Sequence, residues 1–536
     1  MKKKGFVWGT LIVGMAFGFM LAGCASTGGS QDSAKAAGRL AADINAIEAG
    51  KAAVNGVTVT LTGWAGLNTA LTVPTGVTLD VTAEGAALEL RDGAVLTVDG
   101  TVNATGHGDH GKGWIEGSLR VGDGKAVIAG SGTINIKSKG RLLNIGSDRA
   151  LRQLTLDGVT LVGLKDNDAS LVEVHNGGAF VMKSGAVTGN TRFSDDWADG
   201  GGVALWKGTF VMEGGEISGN SASGKRGASG GGVQIGEVSV FTMTGGTISG
   251  NTAQGSEGAS GGGVRIGEGA VFTITGGAIS GNTAQCGNGI GGGGGVSIDE
   301  EAVFTMEGGA ITSNSAQSGR GNGSSHGGGV RIAVGIFTMK GGEISGNTGG
   351  DGGGMMVDRS TFTMEDGAIS GNTAGNRGGG VSVVNRSTFT MEGGTISGNS
   401  ANGSEGGGVS QLEGTFTMKG GTLSGNSAGG VRFGDNCKFI MEGGTISGNT
   451  GSGVIFRNNP NWRENDAMFT MKGGRIQGNA DSDGFAKNTG TNAALDVGKG
   501  SAQWGTGGAY TKGGVSQTSG SDIGSTDDTL IAIPAQ

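Results

Sequence analysis

The chain has 536 residues, 122 of them Gly and only 3 Pro, with a net charge of −8 and 35% hydrophobic residues. Gly at this level without a Gly-X-Y period and with so little Pro excludes collagen, and apolar residues that recur at fixed spacing exclude a wholly disordered chain. The acidic balance leaves no electrostatic footprint for nucleic acid, so that class of partner is set aside.

Lys2, Lys3 and Lys4 precede an apolar run from Phe6 to Leu21, which closes in Leu21-Ala22-Gly23-Cys24. A basic start, an apolar core and a small-residue cleavage site are the parts of a secretory signal. The run carries several Gly and is shorter than the ~20 residues a spanning helix needs. Residues 1–23 therefore read as a signal peptide and 24–34 as a flexible tether. Leu21-Ala22-Gly23-Cys24 resembles the lipobox of bacterial lipoproteins, and that resemblance implies a diacylglyceryl group on the Cys24 thiol. Two or more acyl chains anchor stably where one binds only marginally. The expected partner is thus a membrane, engaged through lipid on Cys24. The expected place is the bacterial cell envelope, at the outer membrane or cell surface rather than the inner membrane.

From Ala34 to Ala49 the residues are helix formers, with Leu40, Ile44 and Ile47 on one face and Gly50 just beyond. This predicts a capping helix in a lead-in segment, 35–56. Alternating stretches such as Val73 to Val81 and Ala94 to Val102 predict less regular first coils over 57–174.

Eleven repeats follow in 175–480, beginning at Phe180, Phe210, Phe241, Phe272, Phe304, Phe337, Phe362, Phe389, Phe416, Phe439 and Phe469. Each Phe is followed ten residues later by Asn, from Asn190 to Asn479, while the spacing between successive Phe varies from 23 to 33. A fixed block joined to a variable segment is the pattern of a solenoid. Phe and the Met two residues on share one face of a strand. Gly stands five after Phe in every unit, and an aliphatic residue then opens a second strand. A third strand precedes Phe, as in Gly231-Gly232-Val233-Gln234-Ile235. The predicted fold is all-β, a single-stranded parallel β-helix solenoid with three short strands per coil and a short N-terminal capping helix. Some fifteen coils would make a rod on the order of 70 Å long.

Stacking explains the recurrence. Parallel strands of adjacent coils lie ~4.8 Å apart, so like residues form Phe, Met and Ile ladders that no single coil could bury, and stacked Asn amides bond along the axis. The third residue after Phe tests the register, because it faces outward. Six neighbouring pairs there carry opposite charge, among them Glu307 with Lys340 and Glu392 with Lys419, and one pair, Glu365 with Glu392, carries like charge. About five coils separate Cys286 from Cys437, roughly 24 Å, whereas a disulfide spans at most ~7 Å between Cα atoms. The two should stay apart, each buried as a small apolar group. Residues 481–536 read as a last coil and cap ending in a covering strand, Thr529 to Ile533, with no barrel-sized segment that would let the chain export itself.

Ile248-Ser249-Gly250-Asn251-Thr252-Ala253 followed by Gly261-Gly262-Gly263-Val264 resembles the repeats of polymorphic outer-membrane proteins, and the whole pattern is similar to the pectate-lyase-like right-handed β-helix superfamily. Ile often stands here where the outer-membrane motif has Phe. The resemblance covers roughly Phe180 to Asn479 and implies right-handedness, surface display and adhesin-like roles; a fold alone does not set function.

Enzymes on this fold work with paired carboxylates, Ca²⁺-binding Asp clusters, or Arg and Lys on one sheet. The densest candidate is Asp195-Asp196-Trp197-Ala198-Asp199, with Trp206 nearby, where two carboxylates would serve as acid and base or as oxygen ligands. Against this, adjacent strand residues face opposite ways, and an Asp-rich loop is ordinarily solvated. His107, Asp109 and His110 offer metal-ligand types in a Gly-rich loop, and Asp166-Asn167-Asp168 is too short for an EF-hand. Arg265, Arg331 and Arg432 share one position after Gly-Gly-Val, suited to an acidic sugar, but scattered over several coils they read as solvated. Trp197, Trp206 and Trp462 are the aromatics available for a sugar platform. No metal site and no cofactor is expected. The expectation is a non-enzymatic surface adhesin or scaffold whose variable loops, such as Gln254 to Ser260 and Ser318 to Ser325, contact a host protein or glycan. The alternative is a polysaccharide lyase or glycoside hydrolase acting on an acidic glycan near Asp195 to Trp206.

Overall fold

A computed structural model describes residues 28–109, 114–147, 149–319, 325–403, 406–434, 436–451, 453–456 and 468–477, together with the strands at 495–497, 501–504, 508–512, 515–517 and 529–532. Within a coil the chain runs, for example, through Val233–Gly236, Val240–Met243 and Thr247–Ser249. It turns at Gly250-Asn251 and returns to the next coil at Val264–Ile266. The sheet that contains Thr247–Ser249 holds twenty strands, of which the sixteen from Thr58–Leu61 to Arg475–Gln477 run parallel in sequence order. The second strands stack in the same way from Ala70–Val73 to Ser501–Trp504, and the first strands in two runs, Trp64–Leu67 to Leu119–Val121 and Leu143–Ile145 to Leu495–Val497.

Register is residue for residue. Phe241 pairs with Phe272 and Phe272 with Phe304, and the ten rings from Phe180 to Phe439 stack with centroids 4.6–5.2 Å apart. With the Met, Ile and Val ladders they are fully buried, so the cylinder is a packed core rather than a channel. The Gly five after Phe has a double reason. Gly246 has φ +80, and a Cβ there would stand 2.7 Å from both the Met212 Cε and the Gly215 carbonyl oxygen of the preceding coil. An L side chain is strained in that conformation and has no room.

The corner is an asparagine ladder. From Asn220 to Asn426 each Asn sends its backbone N–H and its Nδ2 to the Oδ1 of the Asn one coil on, as Asn251 does to Asn282 at 2.9 and 3.0 Å. Nδ2 also donates back to a main-chain carbonyl, that of Ile217 in the case of Asn251. All members are buried. The ladder starts one coil earlier than the Phe repeat, because Asn167 Nδ2 donates to Asn190 Oδ1 at 2.9 Å. Asn167 is thus a corner residue and not part of an Asp cluster.

The N-terminal helix spans Gly28–Ile47 and so begins inside the stretch expected to be a tether. Ala37, Leu40, Ala41 and Ile44 are buried against the first coil, with Ile47 packed beside them. Asn45 fixes the exit by exchanging two hydrogen bonds with the Ala52 backbone. At the other end Thr529–Ala532 pairs antiparallel with Arg475–Gln477. Of the compensating outward charges, Lys340, Lys419 and Lys472 each bond the Glu of the preceding coil, Glu307, Glu392 and Glu442, at 3.1, 2.8 and 3.1 Å. These exposed pairs contribute little each. Cys286 and Cys437 are free thiols, both buried.

Candidate functional site: a lateral fin

The variable segments are not irregular loops. After the Asn corner the chain forms a strand, turns and comes back as a second strand, and both stack in register on their counterparts in the next coil. The first row is Thr191–Ser194, Ser221–Gly224, Thr252–Gly255, Thr283–Cys286 and Ser315–Ser318. The second row is Trp197–Asp199, Gly227–Ser229, Gly258–Ser260, Ile290–Gly292 and Ser325–His326. Thr348–Asp351 pairs with both rows where the insertion shortens, and Thr373–Arg377 and Ser400–Ala401 continue the stack. Asp351, buried there, accepts from Asn376 Nδ2 at 2.8 Å and Arg377 Nε at 3.3 Å.

Small residues let the rows approach. Ala198, Ala222, Ala228 and Ala253 form one apolar cluster, and Ala259, Ala284 and Cys286 another. A Cβ on Gly255 would meet the Gly258 carbonyl oxygen at 2.3 Å. Cys286 stands in register with Gly255 and Ser318, and its Sγ accepts from Gly289 N at 3.1 Å. Arg192 closes the first coil of the fin, donating to the Asp199 carbonyl oxygen on the facing row. Burial, partly offset by Asp199, pushes its guanidinium below the usual arginine range.

The expected Asp cluster divides. Asp195 and Asp196 sit at the exposed tip and pair one coil on, with Lys225 at 2.5 Å and Arg226 at 3.2 Å. Asp199 lies at the base of the fin, part-buried, and accepts from Ser229 Oγ. Trp197 is exposed at 46%, and its ring covers the backbone of Gly227 and Gly258. Trp206 is part-buried on the cylinder, its ring over Gly236. These residues therefore do not converge in one cleft.

The arginines differ from the solvated reading. The outward residues of the first-strand column run Ala204, Gln234, Arg265, Ser297, Arg331 in register. The second row lies against this column, with Gly292 seated beside the Arg331 side chain. Gln234 and Ser297 are consequently buried, and the side chains of Arg265 and Arg331 are only 15% and 16% exposed. They bracket Asp299, whose Oδ1 accepts from Arg331 Nη1 at 2.8 Å. Its Oδ2 accepts from Ser297 Oγ at 3.0 Å and lies 3.6 Å from Arg265 Nε. Arg265 also reaches Glu300 at 3.0 Å. The array lies on the cylinder beneath the second row, with the Asp299 carboxylate shared between the two guanidinium groups.

His107 is buried, and Nε2 carries a proton because its partner at 2.9 Å, the Leu119 carbonyl oxygen, can only accept. Burial pushes this imidazole below the usual histidine range. It is a core group rather than a free ligand, and no cluster of three or more metal-ligating side chains occurs among the described residues. The Asp109 side chain, His110, Trp462 and Cys24 lie outside what the structure describes. Among the described residues no helix is long and apolar enough to cross a membrane.

What sequence reasoning missed is an open groove of about 620 Å³ along the first row. Its lining includes Phe193, Ser223, Gln254, Gln285 and Gln317, which occupy one register column. A signal was present. Ser-Ala-Ser-Gly, Thr-Ala-Gln-Gly, Thr-Ala-Gln-Cys and Ser-Ala-Gln-Ser, starting at 221, 252, 283 and 315, alternate small apolar and polar residues with period two. No protein-family model matches this chain, and no curated protein or solved structure matches it.

Proposed function

We propose that the protein is a lipid-anchored β-helix of the bacterial cell envelope, a non-enzymatic adhesin or scaffold tethered through Cys24, whose fin contacts a host or neighbouring molecule. The observation that carries this is the fin itself. Insertions free to be irregular are instead built as a second, register-matched sheet over five consecutive coils. A stacked surface of that kind presents repeated contacts at fixed pitch, which suits recognition of an extended partner. The separation of Asp195 and Asp196 from Asp199 supports the non-enzymatic reading, since acid–base pairs need a shared groove.

Protease treatment of intact cells carrying wild type and Cys24→Ala tests the tether and display. Cleavage on intact cells with loss of membrane association in Cys24→Ala is expected. Protection until permeabilisation would end the surface reading, and unchanged fractionation of Cys24→Ala would end the lipid reading.

The Arg265–Asp299–Arg331 array favours a second reading, a polysaccharide-active enzyme, because Arg331 Nε is buried without a partner among the described residues. Depolymerisation of polygalacturonate or alginate, abolished by Asp299→Asn, would establish it.

A further inference from the structure

We propose that the first-row groove binds an uncharged, extended polysaccharide laid along the fin axis. This rests on the fin being the recognition surface and names the ligand class for it. Two ladders in this molecule run at the same pitch and behave oppositely. The buried Asn amides spend their donors and acceptors on one another and on backbone carbonyls. In the groove, Gln254 and Gln285 are exposed, pair in register, and make no side-chain hydrogen bond among the described residues; Gln317 donates only to Ser315 Oγ at 3.2 Å. Each free amide offers two donors and one acceptor oxygen, repeated every ~4.8 Å.

Beside the Gln column, Ser221, Thr252, Thr283 and Ser315 form a second column of hydroxyls on the same strand face. At one end Phe193, 45% exposed, supplies an aromatic face for the apolar side of a sugar ring. A polymer of hydroxyl-bearing rings presents donors and acceptors periodically and matches such an array. The charge pattern of the described lining favours an uncharged polymer over an acidic one. Among the described residues Lys225 is the one charged lining residue, and it is already paired with Asp195. The volume of about 620 Å³ accommodates a few sugar rings.

The test is affinity electrophoresis of the purified full chain in gels containing dextran, mannan, a soluble β-1,3-glucan, polygalacturonate or alginate. The variants are Gln254→Ala/Gln285→Ala, Phe193→Ser and, as a control away from the groove, Lys419→Ala. The substituted side chains are exposed, so circular dichroism and the thermal transition should match wild type. Expected is retardation by at least one uncharged polymer, weakened tenfold or more in the Gln double variant and in Phe193→Ser and unchanged in Lys419→Ala. The proposal is overturned if no uncharged polymer retards the chain, if the acidic polymers retard it equally, or if both groove variants bind as wild type does. Protease exposure on cells is a separate readout, so surface display can hold while this ligand assignment fails.

Discussion

Replacing Asn282 by Ala removes one rung of the corner ladder and permits a local accounting. The wild-type side chain is buried and makes four hydrogen bonds. Oδ1 accepts from Asn251 N at 2.9 Å and Asn251 Nδ2 at 3.0 Å, and Nδ2 donates to Ile248 O at 2.9 Å and Asn314 Oδ1 at 3.0 Å. Two partners keep alternatives, since Asn251 Nδ2 still reaches Ile217 O and Asn314 Oδ1 still accepts from the residue 282 amide. The Asn251 amide loses its acceptor, and Ile248 O loses a donor. At ~1–3 kcal/mol for each buried group left without a partner, the cost is about 3 kcal/mol. A solenoid responds through its nearest neighbours, so the loss should concentrate in the coils on either side. Hydrogen exchange followed by mass spectrometry should show the residue 251 amide and its flanks exchanging about a hundredfold faster, at a factor of ten per ~1.4 kcal/mol. Asn282→Asp should be worse, because a carboxylate oxygen would face two acceptors. Exchange within threefold of wild type at residue 251 would refute the ladder as a source of stability.

Ser313 occupies the corner position where the neighbouring units have Gly281 and Gly346, and it holds φ +56. Ser313→Gly should relieve left-handed strain and raise stability by about 1 kcal/mol, read as a higher urea midpoint. Gly246→Ala should cost about 2 kcal/mol or more, because it adds that strain to a 2.7 Å approach to Met212 Cε and the Gly215 oxygen; a wild-type melting curve would contradict the close-approach argument. His107 is held neutral by burial, so its folded pKa lies below the unfolded value of about 6.5. Below that value the unfolded chain binds more protons at this site, and stability is lost as pH falls through 6.5 toward the folded pKa. Thermal scans between pH 7.5 and 5 should show a decline that His107→Gln reduces.

The fixed spacing of Phe, Met, Gly and Asn made the solenoid, its core and its corner ladder legible before any coordinates. Each of those residues does in every coil what its own chemistry dictates, and stacking multiplies the signal. Asn167 escaped because its coil lacks the Phe from which the units were aligned. The fin escaped because small residues at a close approach resemble loop composition: Ala253 and Gly255 read as filler until the second row lies against them. The arginines were placed correctly on one column and wrongly in solvent, since a cover such as Gly292, 39 positions before Arg331, cannot be read from local pattern.

Read alone, the amino-acid sequence determined the period, the parallel stack and the identity of the interior, because a repeated strand pattern has one economical way to bury its apolar face. Tertiary structure decided which outward residues meet. It carried Asp195 and Asp196 to an exposed tip and Asp199 to the base, pressed Arg265 and Arg331 around Asp299, and left the Gln254, Gln285 and Gln317 amides facing an open groove. Those outcomes depend on how far each insertion reaches and where it folds back, and that is set by contacts between coils.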